Sequence, residues 1–336
     1  MLKLRGPLAV VYVLGSLVLG LGLVALLGYC DALDLKQLTE QLRACKPLFL
    51  GLILLSTLLH FAITALKWRL VAPSLTQKTP FWTYFFAYTC IAGLIGQVLP
   101  LLFSAVTVRS LAMRFHKEVS LTKGVASTVY DQFFDVLVSL ALLPAALLAI
   151  LGLVTLRVGG AISAVSLLIV GLAVPILGRQ TGPLLIRICK PLPFLRRLLS
   201  DSSSDAVDKV PALLTDGVIV RLFVLSVVRY ANLLFRCYLV VLALDLDIPF
   251  LAVAHAFPPV LLSFLLGITP ANLGIAEWGW MGILGILGVP LATATCFALA
   301  ARLLVLAVVV AINLIVFPWL LCRRLWKPPR SQDQGG

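Results

Sequence analysis

The stretch Leu265-Leu266-Gly267-Ile268-Thr269-Pro270-Ala271-Asn272-Leu273-Gly274-Ile275-Ala276-Glu277-Trp278-Gly279 decides how this chain folds. It sits between two apolar arms, Leu251 to Leu266 and Trp278 to Gly288. Each arm falls short of the roughly 20 apolar residues that a helix needs to cross a bilayer. Gly267, Pro270 and Gly274 break the helix between the arms, because proline removes a backbone donor and glycine frees the chain to leave helical geometry. Backbone opened by such a break is tolerated at membrane depth only where it is buried in protein or lines a wet cavity. A carboxylate, Glu277, follows at once. Residues 251–288 therefore read as a re-entrant hairpin whose tip forms part of a polar site inside the membrane.

Composition supplies the setting. Of 336 residues, 61% are hydrophobic and 12% charged, and the mean hydropathy is +1.08. That describes a polytopic membrane protein, not a soluble globule. The net charge of +13 does not imply nucleic acid, because the basic residues fall in short loops beside apolar spans. That is the positive-inside pattern. The seven cysteines form no CxxC pair and have no histidine at metal-ligand spacing, so neither a metal nor another cofactor is expected. Cys30 and Cys45 are the two placed to meet outside the membrane. No small-residue cleavage site follows the first apolar run, so Leu8 to Tyr29 reads as a retained helix.

A second broken stretch, Gly93-Leu94-Ile95-Gly96-Gln97-Val98-Leu99-Pro100, interrupts the apolar block from Pro80 to Ala112. A straight span there would place Arg109, Arg114, Lys117 and Lys123 outside, against the charge rule; a hairpin over residues 93–112 keeps them inside. The remaining spans are Pro47 to Leu66, stopped by Lys67-Trp68-Arg69, then Val125 to Leu153, Ala161 to Leu177, Val218 to Leu244 and Pro290 to Leu321. The expected architecture is an all-α polytopic membrane protein with about six spanning helices and two re-entrant hairpins arranged as an inverted repeat. Residues 1–46 form a first helix and an outer interfacial segment, and residues 47–178 form the first repeat. Residues 179–217 form a basic cytoplasmic loop, 218–322 the second repeat and 323–336 a basic cytoplasmic tail. Both termini are then cytoplasmic, in a cell (inner) membrane. Paired broken segments in two inverted halves point to a binding site at their interface, with both hairpins dipping toward one charged pocket.

Several polar residues lie on helix faces that could line such a site. Arg221, Arg229, Asn232 and Arg236 share one face of the span Val218 to Leu244. Arginine facing lipid is costly, so this face should look into a bundle or cavity; Arg221 and Arg236 are equally readable as snorkelling to the interfaces. Asp131 and Asp135, four apart, share a face of the next long helix and could pair with arginines or bind protons, or Asp131 could be interfacial. Glu277 is expected to pair with a cation such as Arg302, for structure or for function. His60, His116 and His255 are isolated, and neither GxSxG nor HExxH occurs, which weighs against an enzyme.

Gly267-Ile268-Thr269-Pro270-Ala271-Asn272-Leu273-Gly274-Ile275-Ala276-Glu277, followed by Gly288-Val289-Pro290 and Ala300-Ala301-Arg302-Leu303-Leu304, resembles the membrane domain of lysylphosphatidylglycerol synthases and of flippase-like inner-membrane proteins that consist of this domain alone. Leu99-Pro100, Arg109 and the Tyr130-Asp131 region look similar to the family's first hairpin and next helix. There are departures. Ala271-Asn272 stands for a Gly-Gly, a Gly-Glu is absent from Phe103-Ser104-Ala105-Val106, and Asp131-Gln132 replaces an acid–arginine pair. The resemblance implies movement of a lipid or lipid-linked, anionic, phosphate-bearing substrate across the bilayer. Arg229, Arg236, Asn232, Asn272, Arg109, Asp131, Asp135, Glu277 and Arg302 would line the route, and Gly96, Pro100, Gly267, Pro270 and Gly274 would be its structural breaks. The soluble aminoacyl-transferase domain of the full synthases has no counterpart in these residues, so lysyl transfer is not expected. The rival readings are the membrane subunit of a lipid-modifying enzyme, working with a soluble partner, and a scaffold recruiting partners through the basic loop. A homo-oligomer is compatible with any of them.

Overall fold

The protein's structure, a computed structural model, describes residues 15, 17–26, 35–72, 82–99, 101–117, 121–189, 215–264 and 269–322. Among these, the regular elements are helices: α1 (Leu17–Leu26), α2 (Leu35–Arg43), α3 (Pro47–Val71), α4 (Trp82–Ile95), α5 (Leu101–Lys117) and α6 (Leu121–Ile150). They continue as α7 (Leu156–Cys189), α8 (Asp216–Ala243), α9 (Phe250–Ser263), α10 (Ile275–Ile286) and α11 (Leu291–Cys322), with a 3-10 turn at Pro270–Asn272. Five of them, α3, α6, α7, α8 and α11, are long and apolar enough to cross a membrane. The expected first span, Leu8 to Tyr29, is described only over α1, and Cys30, Pro100 and Gly267 lie outside the described residues.

Aliphatic side chains cover much of the outer surface, and several charged ones lie inside an otherwise apolar core. Leu172, Ile315 and Leu314 are exposed on outer faces, whereas Lys67, Asp131, Arg109 and Glu277 are buried. Lipid solvates the aliphatic side chains at no cost, and charges must find partners inside.

Several boundaries correct the sequence reading. The helix expected to stop at Lys67-Trp68-Arg69 runs on to Val71, and Lys67 and Trp68 are completely buried while Arg69 is exposed. Lys67 is not a loop charge, because carboxylates on α6 receive it. Arg109 likewise lies within a helix, α5, and is buried. α6 starts at Leu121, before the expected Val125, and α7 runs to Cys189, so the first part of the expected loop 179–217 is helical. Glu277 stands in the first turn of α10 rather than ahead of it.

Two helical hairpins are present. α4 packs against α5 and α9 against α10, with Gly96 in the turn that closes the first. Arms of 14 residues in α4, 14 in α9 and 12 in α10 are shorter than the roughly 20 that a spanning helix needs.

Each hairpin lies between two long helices, which divides the bundle into the quartets α3–α6 and α8–α11. The packing is unchanged when α3 and α8, α4 and α9, α5 and α10, and α6 and α11 are exchanged. α5 packs on α6 as α10 does on α11. α9 crosses over to α6, and α4 crosses over to α11. α3 and α8, which exchange with each other, pack together. They run antiparallel: the Lys46 amide at the start of α3 donates to the Ala243 carbonyl at the end of α8 (3.3 Å), and Lys46 Nζ meets Asp245 (2.9 Å). Antiparallel equivalent helices make the two quartets inverted copies. α2, on α11, and α7, on α6, α8 and α9, stand outside the exchange.

Candidate functional site

The contact between quartets is polar where it is deepest. On α3, Ser56, Thr57, His60, Thr64 and Lys67 recur at three- and four-residue spacing and so share a face. That face meets Arg229, Asn232 and Arg236 of α8 and Asp131 and Asp135 of α6. At about 1.5 Å per residue, the stripe on α3 covers roughly 16 Å along the bundle axis, about half the thickness of a bilayer's hydrocarbon core.

Ion pairs order the lower part of this track. Lys67 Nζ lies 3.1 Å from Asp131 and 2.7 Å from Asp135. Arg109, on α5, reaches Asp131 at 2.7 Å and places its guanidinium 5.2 Å from the centre of the Trp68 ring. Arg229 meets the other oxygen of Asp135 at 2.5 Å. Two carboxylates one turn apart on α6 thus tie together α3, α5 and α8. Asp131 is wholly buried. Such pairs offset the large cost of taking charge out of water only when each member is matched.

Toward the end of the track marked by Lys46 and Asp245, the matching runs out. Ser56 and Asn232 bond reciprocally: the Ser56 hydroxyl donates to the Asn232 side-chain oxygen (3.0 Å), and the Asn232 amide donates to the Ser56 carbonyl (2.9 Å). Arg236 donates only to the Thr57 hydroxyl, at 3.4 Å, and has no carboxylate partner among the described residues. Its Nε and the Nδ1 of His60 are buried without a partner. Lys67 and Arg236 stand equally far along α3 and α8 from Pro47 and Asp216.

A second polar set holds the tip of the other hairpin. The chain turns through left-handed backbone at Ala271 (φ 49°), Asn272 (φ 59°) and Gly274 (φ 80°). Arg302 on α11 pairs with Glu277 and donates to the Ala271 carbonyl (3.2 Å). The other Glu277 oxygen accepts the Gly274 amide (2.7 Å), which caps α10. Asn272 donates to Ser263 at the end of α9 (2.6 Å). α1 seats on this tip: Trp278 Nε1 donates to the Leu23 carbonyl (2.8 Å), and a Cβ at Gly274 would collide with the Leu23 side chain.

The residues picked out in the sequence therefore fall into two sets. Arg109, Asp131, Asp135, Arg229, Asn232 and Arg236 share the track between quartets, and Asn272, Glu277 and Arg302 share the hairpin tip. Among the described residues, no ion pair joins the two sets. Arg221 is exposed and belongs to neither. Lys67, His60, Thr57 and Ser56 were not picked out, although their spacing against Asp131 and Asp135 carries the signal. No group of three or more metal-ligating residues occurs among the described residues.

A family model described as the lysylphosphatidylglycerol synthase TM region matches residues 13–312. No curated protein and no solved structure matches the chain.

Proposed function

Because the chain belongs to the lysylphosphatidylglycerol synthase TM region family, we propose that it moves a lipid or lipid-linked, phosphate-bearing substrate across the cell's inner membrane. The observation that carries this reading is the buried polar track between two inverted quartets, lined by Lys67, Arg229 and Arg236. A headgroup needs polar partners at every depth it passes, while its acyl chains stay in lipid; a polar stripe inside an aliphatic shell provides both. Arginine's planar fork suits a phosphate. Asp135 holds Arg229 and Lys67, and an arriving phosphate competes for them.

The two helical hairpins are then re-entrant, opening from opposite leaflets, and rocking of one quartet against the other exposes the track to each side in turn. Both termini are cytoplasmic by the distribution of basic residues. The protein carries its substrate without modifying it. Its partners are the bilayer and the lipid itself, and nucleic acid is not among them.

Reconstitution into vesicles with a fluorescent phospholipid tests the reading. Wild-type protein is expected to speed exchange between leaflets, with Arg229→Ala and Glu277→Ala each slowing it at least about tenfold, the loss of one charged contact. Unchanged movement in both variants would overturn it.

A further inference from the structure

Transport of a lipid named for lysylphosphatidylglycerol would require a site for a headgroup whose two amines outweigh its single phosphate. The interior of this chain has the opposite bias. Along the track, Lys67, Arg109, Arg229 and Arg236 face two carboxylates, Asp131 and Asp135. Each buried carboxylate is already engaged: Asp131 by Lys67 and Arg109, Asp135 by Lys67 and Arg229, and Glu277 by Arg302. No carboxylate among the described buried residues is left to receive an amine.

Arg236 is the counterpart of that shortage. Among the described residues its one polar contact is the Thr57 hydroxyl, which itself donates to the Ile53 carbonyl and so is held in place (2.8 Å). That contact orients the guanidinium and leaves its Nε without an acceptor. His60 lies one turn along the same face of α3 from Thr57, which holds Arg236, and its Nδ1 is also buried and without a hydrogen-bond partner among the described residues. A buried cation and a ring nitrogen that both lack hydrogen-bond partners, with no anion beside them among the described residues, leave hydrogen-bonding capacity that an anion can use.

We propose that Arg236 and His60, with Thr57 positioning the arginine, are the seat of a lipid phosphate, and that the lipid recognised has a net negative headgroup and not a net positive aminoacyl one. The proposal rests on the transport reading for the route by which the lipid arrives, and it names the substrate class at that site. The phosphate accepts from the Arg236 guanidinium and from His60, and the excess positive charge of the track is met when it does. Asn232, bonded to Ser56, packs beside the seat and makes no claim on the phosphate.

The test is thermal unfolding of the full-length protein in detergent, titrated separately with phosphatidylglycerol, phosphatidylcholine, lysylphosphatidylglycerol and inorganic phosphate, for wild type, Arg236→Gln and Arg236→Lys. Wild type is expected to be stabilised most by phosphatidylglycerol. Arg236→Gln should lose about tenfold or more in apparent affinity for it, and Arg236→Lys, which keeps the charge without the fork, should lie between. Without lipid, Arg236→Gln should unfold no earlier than wild type, since it removes a charge that nothing balances. Equal stabilisation of wild type and Arg236→Gln by phosphatidylglycerol would overturn the seat. Stabilisation by lysylphosphatidylglycerol as strong as by phosphatidylglycerol would overturn the anionic class, and an equal effect of inorganic phosphate would overturn a lipid as its source. Vesicle exchange separates this from the transport reading: Arg236-dependent binding without exchange defeats transport and leaves the seat standing, and exchange without such binding does the reverse.

Discussion

The ion pairs Arg109–Asp131 and Glu277–Arg302 occupy equivalent places in the two quartets, each joining the second arm of a hairpin to the long helix that follows. Their polarity is reversed. In the first quartet the hairpin carries the cation and the long helix the anion; in the second the hairpin carries the anion. Their surroundings also differ. Arg109 and Asp131 are 1% and 0% exposed and continue into a network that reaches α3 and α8, whereas the Arg302 side chain is 20% exposed and its partner Glu277 bonds the backbone of its own turn. One pair fastens helices to one another, and the other shapes a loop. The same architectural position has been put to two uses, and the first has lost independence in exchange for reach.

The largest expected effect comes from breaking the deeper pair. Asp131→Asn leaves Lys67 and Arg109 sharing one fewer charge at complete burial, and should cost about 3–5 kcal/mol of stability, read as an earlier unfolding transition in detergent. Glu277→Gln should cost less, about 1.5–3 kcal/mol, because Arg302 is partly exposed and the amide oxygen can still accept from Gly274. A larger loss at Glu277 than at Asp131 would break the assignment of the first pair as the structural one. The finest distinction comes from Trp278→Phe, which removes only the bond to the Leu23 carbonyl and should cost about 0.5–1.5 kcal/mol, with a gain in hydrogen exchange at the hairpin tip and none at Asp131.

The second pair was legible in the sequence, and so were Arg109, Asp131, Asp135 and Arg229 of the first network; Lys67 was not, and the reason is helix phase. Pro270, Gly274 and Glu277 are neighbours in the chain, so the break, the cap and the charge announce themselves together. Arg302 follows as the nearest cation on the next helix. Lys67 sits in a run, Lys67-Trp68-Arg69, that reads as the end of a span. Charge sums cannot tell that Lys67 turns inward while Arg69, two positions on, turns out. Only the stripe from Ser56 to Lys67, matched against Asp131 and Asp135, separates them, and those partners lie more than sixty positions along the chain. The spans and the five-helix framework were legible because long apolar runs leave few alternatives. The extension of α7 to Cys189 was not, since proline and charge dilute its apolar signal past Leu177.

The exchange of packing between quartets carries a consequence for motion. Two inverted halves with the same contacts but different local geometry contain, between them, a description of a second conformer. It is obtained by giving α3–α6 the arrangement now held by α8–α11 and the reverse. In that conformer the tightly fastened hairpin becomes the loosely held one.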